Sequence, residues 1–135
     1  MSGWLGSIVL VAIGGAIGGL ARYWVSGVVA QRFGETFPWG TLVVNVTGAA
    51  AIGGLAALVL PIDAGALQPM PLWTLLAIGI LGSYTTVSSF SLQTLALLRS
   101  GETGHAVRNV AGSVAACLAA AALGYMAALV AVGRL

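Results

Sequence analysis

Gly79-Ile80-Leu81-Gly82-Ser83-Tyr84-Thr85-Thr86-Val87-Ser88-Ser89-Phe90-Ser91 is the stretch on which the fold turns. It sits inside a run from Ala64 to Leu98 that holds no charged residue. A bilayer-spanning helix needs about 20 mostly apolar residues, so the run is long enough to cross. Yet six of the nine residues from Ser83 to Ser91 are Ser or Thr. One or two such hydroxyls can hide by bonding to their own helix backbone. Six of them beside Gly79 and Gly82 predict a break in the helix near 82–86. Non-helical backbone at membrane depth is tolerated only where protein buries it or where it lines a watery cavity. A broken helix also frees carbonyl oxygens, which can coordinate a cation.

The rest of the chain reads the same way. Of its 135 residues, 59% are hydrophobic and only 6% charged, against roughly 25% charged in soluble domains. The full charges are Arg22, Arg32, Glu35, Asp63, Arg99, Glu102, Arg108 and Arg134, and there is no lysine. A net charge of +2, spread along the chain, argues against a nucleic-acid surface. The lone Cys117 can form neither an internal disulfide nor a cysteine metal cluster. The N-terminus has no basic leader and its apolar run exceeds signal-peptide length, so it is expected to be retained.

The expected architecture is an all-α membrane protein, one domain over 1–135, with four transmembrane helices. The spans fall at about 5–30, 38–60, 72–98 (broken near 82–86) and 109–133. The runs are too long, and alternate too little, for barrel strands. His105 falls in the expected third connection. Arg32, Arg99 and Arg108 lie at one end of the bundle and Arg134 at the other, a weak bias of three against one in the residues that set orientation.

Glycine makes up 20 of the 135 residues. Gly14, Gly15, Gly18 and Gly19 form overlapping small-xxx-small pairs in the first helix, and Asn109, Gly112, Ser113, Ala116, Cys117, Ala120 and Gly124 form a stripe in the fourth. Close helix packing accounts for both sets. Four close-packed helices leave no lumen, so transport requires a groove between helices or a partner subunit.

Polar residues inside the spans carry more information, because each must be paired or hydrated. Thr41, Asn45 and Gly48 share one face of the second helix. Asn45 has two readings: interhelical glue, or a hydrogen-bond donor to a passing solute. Arg22 also has two, an interfacial anchor whose stem snorkels or a source of positive potential at a vestibule. No Asp or Glu falls within a span, whereas proton-coupled carriers normally need a titratable group there. With no paired acid and base and no phosphate loop, an enzyme is not expected.

Gly14-Gly15-Ala16-Ile17-Gly18-Gly19-Leu20-Ala21-Arg22-Tyr23 resembles the glycine-rich first-helix motif of the Fluc/CrcB fluoride channels, which ends in Arg-Tyr. Trp39-Gly40-Thr41-Leu42-Val43-Val44-Asn45-Val46-Thr47-Gly48 resembles their second, Gly-Thr-Leu-x-x-Asn-x-x-Gly. Gly82 to Ser91 resembles their third, Gly-x-x-Thr-Thr-Phe-Ser-Thr-Phe, and Asn109 and Ser113 resemble fourth-helix positions. The resemblance covers essentially the whole chain.

The resemblance implies an antiparallel, dual-topology dimer in the cell membrane that exports fluoride passively and so confers fluoride resistance. It implies a structural sodium ion (Na+) at the dimer centre, held by backbone carbonyls of Gly82 and Thr85. It places Asn45, Phe90, Ser88, Ser89, Thr41 and Ser113 along the fluoride pathway, with Val87 where the family has its first box phenylalanine. A homodimer is favoured over a heterodimer with a paralogue. Fluoride is small and strongly hydrated, so a pore must replace water's hydrogen bonds with donors that carry no charge to trap the ion. A small dual-topology coupled exporter of the multidrug type and a non-transporting packing subunit are the alternatives. The exporter class needs a glutamate in its first helix, which this chain lacks, and the hydroxyl cluster does not suit a packing subunit.

Overall fold

The computed structural model describes residues 2–34, 36–59 and 71–134. Glu35 and the expected second connection with Asp63 and Pro69 lie outside the described residues. Four helical stretches are long and apolar enough to cross a membrane, and no strand occurs among the described residues. They are α1 (Ser2–Phe33), α2 (Trp39–Val59), a composite third span (Pro71–Arg99) and α6 (Thr103–Ala131). The composite runs from α3 (Pro71–Trp73) through a π-helical stretch, Thr74–Leu81, into α4 (Gly82–Tyr84), then breaks and resumes as α5 (Val87–Arg99).

The break is where the hydroxyl cluster predicts it. Two extended residues, Thr85 and Thr86, separate α4 from α5. Gly82 itself is helical, at φ −63° and ψ −30°. The fourth helix starts earlier than hydropathy suggests, so His105 and Arg108 lie on α6. Apolar runs mark the hydrocarbon slab, while helices extend past it into the polar interface. Only Ser100, Gly101 and Glu102 link α5 to α6. Gly101, at φ +81°, takes the left-handed position that ends α5. Its N–H bonds the Leu98 carbonyl and that of Glu102 bonds Leu97, the paired closure that satisfies last-turn carbonyls.

Glycine sets how closely the helices approach. A Cβ added at Gly14 would lie 2.7 Å from the Leu75 carbonyl oxygen, and one at Gly18 would strike the carbonyl of Ile80. The α1 backbone therefore lies directly on the π-helical stretch. The α2–α6 contact is reciprocal: Gly53 packs on the Ala121 carbonyl and Gly124 on that of Ala50. Lipid is as apolar as leucine, so such van der Waals contact is what holds helices together in a bilayer. Of the four glycines in the small-xxx-small pairs of α1, Gly14 and Gly18 make this backbone contact, Gly15 faces the Ser83 hydroxyl, and Gly19 faces open space.

Each end of the bundle has its own lock. At one, the Phe37 ring lies 4.8 Å from that of Trp39 and 6.3 Å from that of His105, joining the first connection to α6. At the other, Arg134 donates from Nη1 to the Ala57 carbonyl at 3.1 Å. Positive charge at a helix C-terminus complements its exposed carbonyls.

Candidate functional site

The site begins with Thr86. Its backbone is extended, at φ −151° and ψ 124°, and its hydroxyl oxygen accepts from the Ser89 N–H at 3.2 Å, capping α5. The same hydroxyl contacts Ser88 Oγ at 3.1 Å and Ser89 Oγ at 3.2 Å. Asn45, on α2, clamps the backbone from the other side. The Thr86 N–H donates to Asn45 Oδ1 at 2.7 Å, and Asn45 Nδ2 donates to the Thr86 carbonyl at 2.9 Å.

These bonds decide which carbonyls the break releases. In a continuous helix the N–H of residue i+4 serves the carbonyl of residue i. The donor for Gly82 would be Thr86, now given to Asn45; the donor for Thr85 would be Ser89, now given to Thr86 Oγ1. The clamp and cap thus divert the helical donors of the Gly82 and Thr85 carbonyls. Gly48 leaves room for the Thr85 methyl group, and Thr47 Oγ1 meets the Tyr84 hydroxyl at 2.9 Å, fixing α4 against α2.

Two cavities meet at the break. One of about 520 Å³ is lined by Asn45, Phe90, Ser113 and Val87, together with Gly82 and Thr85. A smaller one, about 190 Å³, is lined by Arg22, Thr41 and Ser89. Thr86 lines both. The break therefore divides the sequence-predicted residues into two groups. Ser88 lines neither cavity and is tied to Thr86. Val87 is 76% exposed at the rim of the larger cavity. A third cavity, about 680 Å³, extends from Thr41 and Ser89 past Gln93 to Phe37 and Trp39 near the bundle end.

Asn45 makes the interhelical bonds of its first reading, and it stands at the wall of the larger cavity as the second would require. Both ends of its amide are engaged with Thr86, and the side chain also lines the larger cavity. Three residues of the site were not singled out as site residues from sequence. Thr86 is legible as one of six hydroxyls and as the second threonine of the third-helix motif, and a Thr opening a helix is a cap signal. Thr94 and Asn109 join α5 to α6 through a 2.8 Å bond from Asn109 Nδ2 to Thr94 Oγ1. Asn109 is legible as a fourth-helix family position without a stated role, and spacing is the further signal: Phe90 and Thr94, like Asn109 and Ser113, are four apart and so share a helix face.

The model of the family described as CrcB-like protein, Camphor Resistance (CrcB), matches residues 9–125. A Bradyrhizobium diazoefficiens protein named "Fluoride-specific ion channel FluC 2" is 52% identical over 124 residues, 92% of this chain and 90% of that protein. A Rhodopseudomonas palustris protein of the same name is 54% identical over 123 residues, 91% of this chain and 93% of its own. A Paramagnetospirillum magneticum protein named "Fluoride-specific ion channel FluC" is 52% identical over 121 residues, covering 90% and 94%. With its four membrane-capable helices and a family match over most of its length, this chain is a multi-pass membrane protein and belongs to the CrcB-like family.

Proposed function

We propose that this chain is the subunit of a fluoride-selective channel that lets fluoride leave the cytoplasm passively. The observation that carries the reading is the larger cavity at the break: Asn45, Thr86 and Ser113 line it together with Phe90, and no carboxylate lines it among the described residues. Neutral donors can replace the water around a small anion without holding it. The positive edge of an aromatic ring adds a weak contact. Arg22, at the smaller cavity with Thr41 and Ser89, supplies positive potential beside the break. The names of the relatives support the same reading.

The freed carbonyls suit a sodium ion. Among the described residues no group of three His, Cys, Asp or Glu side chains could hold a metal. Neutral backbone oxygens are hard, uncharged ligands of the kind that broken helices offer to alkali cations. Gly82 and Thr85, whose helical donors are diverted, would hold the ion. When bound it would supply positive charge that offsets the cost of bringing an anion into low dielectric.

The working unit is an antiparallel dimer, with two identical chains favoured over a pair of paralogues. The exposure of Val87 at the cavity rim, with Val114 beside it at 52%, supports a second subunit closing that wall. A bacterium lacking its own fluoride exporter tests the function. Expression of this chain is expected to restore growth in fluoride. Correct membrane insertion without any rescue would count against the reading.

A further inference from the structure

Four groups form a directed line of hydrogen bonds from α6 to α5. Ser113 Oγ donates to Asn109 Oδ1 at 3.4 Å, Asn109 Nδ2 donates to Thr94 Oγ1 at 2.8 Å, and Thr94 Oγ1 donates to the Phe90 carbonyl at 2.7 Å. Asn109 is 2% exposed and Ser113 6%, so water has little access to substitute for these partners.

The direction of the line follows from its last member. A backbone carbonyl can only accept, and a threonine hydroxyl has one proton. Thr94 spends that proton on Phe90 and so offers Asn109 lone pairs alone. Asn109 must therefore turn its NH2 group toward Thr94, which leaves Oδ1 facing Ser113. Ser113 in turn gives its proton to Asn109. The larger cavity is left with lone pairs from Ser113, the wrong polarity for an anion. The bond that holds this proton away is the weak one, since O–H···O bonds cluster near 2.7–2.8 Å.

We propose that Thr94 and Asn109 are positioning residues that set the resting direction of the Ser113 hydroxyl, so that fluoride must turn Ser113 toward itself to pass. The inference rests on the fluoride-pathway reading. Neither Thr94 nor Asn109 lines the cavity; they act through Ser113.

Replacing Thr94 with valine keeps the shape and removes the hydroxyl that fixes the polarity. The Asn109 amide can then turn over and present its NH2 to Ser113, which frees the serine proton for the cavity. In purified-channel flux, Thr94→Val is expected to lower the fluoride concentration for half-saturation by about two- to tenfold, the effect of one net hydrogen bond. Thr94→Ser is expected to restore wild-type behaviour. In a Ser113→Ala background, Thr94→Val is expected to change nothing, an outcome that a merely structural role for Thr94 would not give. An unchanged or raised half-saturation in folded Thr94→Val, or the same shift without Ser113, overturns the proposal. Should Thr94→Val fail to assemble, Asn109→Leu removes the parking acceptor directly and is expected to lower half-saturation likewise; no change there overturns the proposal. Wild-type protein without fluoride flux would sink the channel reading itself, whereas wild-type flux with an unresponsive Thr94→Val sinks only this inference.

Discussion

Asn45 and Thr86, 41 residues apart, form a two-bond clamp in which one side-chain amide satisfies both backbone groups of a residue outside any helix. In water such a residue would bond to solvent. At membrane depth it must find protein partners, and Asn45 supplies one acceptor and one donor in the required geometry. The clamp makes a helix break tolerable and exposes carbonyls that a continuous helix would use.

Removing the clamp therefore affects fold and function together. Asn45→Leu leaves the Thr86 N–H and carbonyl without these partners, each at about 1–3 kcal/mol. Thermal or detergent unfolding is expected to show the loss of stability, and fluoride flux is expected to disappear. Asn45→Asp keeps an acceptor for the Thr86 N–H but sets a carboxylate oxygen against the Thr86 carbonyl, and its negative charge repels the anion. It too is expected to be silent in flux. Wild-type stability and flux in both variants would make the clamp incidental.

The two freed carbonyls lead to an ion-dependence experiment. Exchange of sodium for a large organic cation, with prolonged dialysis, is expected to reduce fluoride flux, and sodium is expected to restore it. Thr85→Ser retains the backbone ligand and is expected to respond to sodium as the wild type does. Flux indifferent to sodium would mean that the Gly82 and Thr85 oxygens serve no cation.

Much of this arrangement was legible in the sequence, because lipid narrows the choices. Hydropathy alone predicts four spans, and hydroxyls crowded into a charge-free run point to a break near 82–86, which the structure narrows to Thr85 and Thr86. Hydrogen-bond partners were not legible in that way. Asn45 shares a helix face with Thr41 and Gly48, but nothing local shows that its amide reaches Thr86 rather than a solute. Thr94 and Asn109 fall near the ends of their apolar runs, where polar residues are ordinary. The start of α6 was hidden for a related reason: hydropathy follows the lipid slab, whereas Gly101 and the bonds around it decide where one helix stops and the next begins.

The glycine contacts separate packing positions from open ones. Gly53→Ala and Gly18→Ala each place a Cβ against a backbone carbonyl, and overpacking of this kind costs about 1–3 kcal/mol. Gly19 has nothing within 4 Å of an added Cβ, and alanine favours a helix over glycine by about 1 kcal/mol. Gly19→Ala is thus expected to be neutral or stabilising, and the other two to lower the unfolding temperature. Equal effects at all three positions would contradict the packing assigned to α1 and α2.

Val87 offers a test of subunit composition. Tags at both termini of the chain expressed alone are expected to appear on both sides of the membrane, given how weakly three arginines against one fix orientation. A single sidedness, with flux appearing only when a paralogue is co-expressed, would show that the unit is a heterodimer.

The most direct measurement uses this protein alone, purified and placed in liposomes, with fluoride and chloride efflux followed side by side. Neutral donors in the cavity that Phe90 lines, from Asn45 and from Ser113 once its hydroxyl turns, are expected to give rapid passive fluoride efflux with chloride retained. Equal passage of both anions, or fluoride movement only when driven by a proton gradient, would contradict the channel reading.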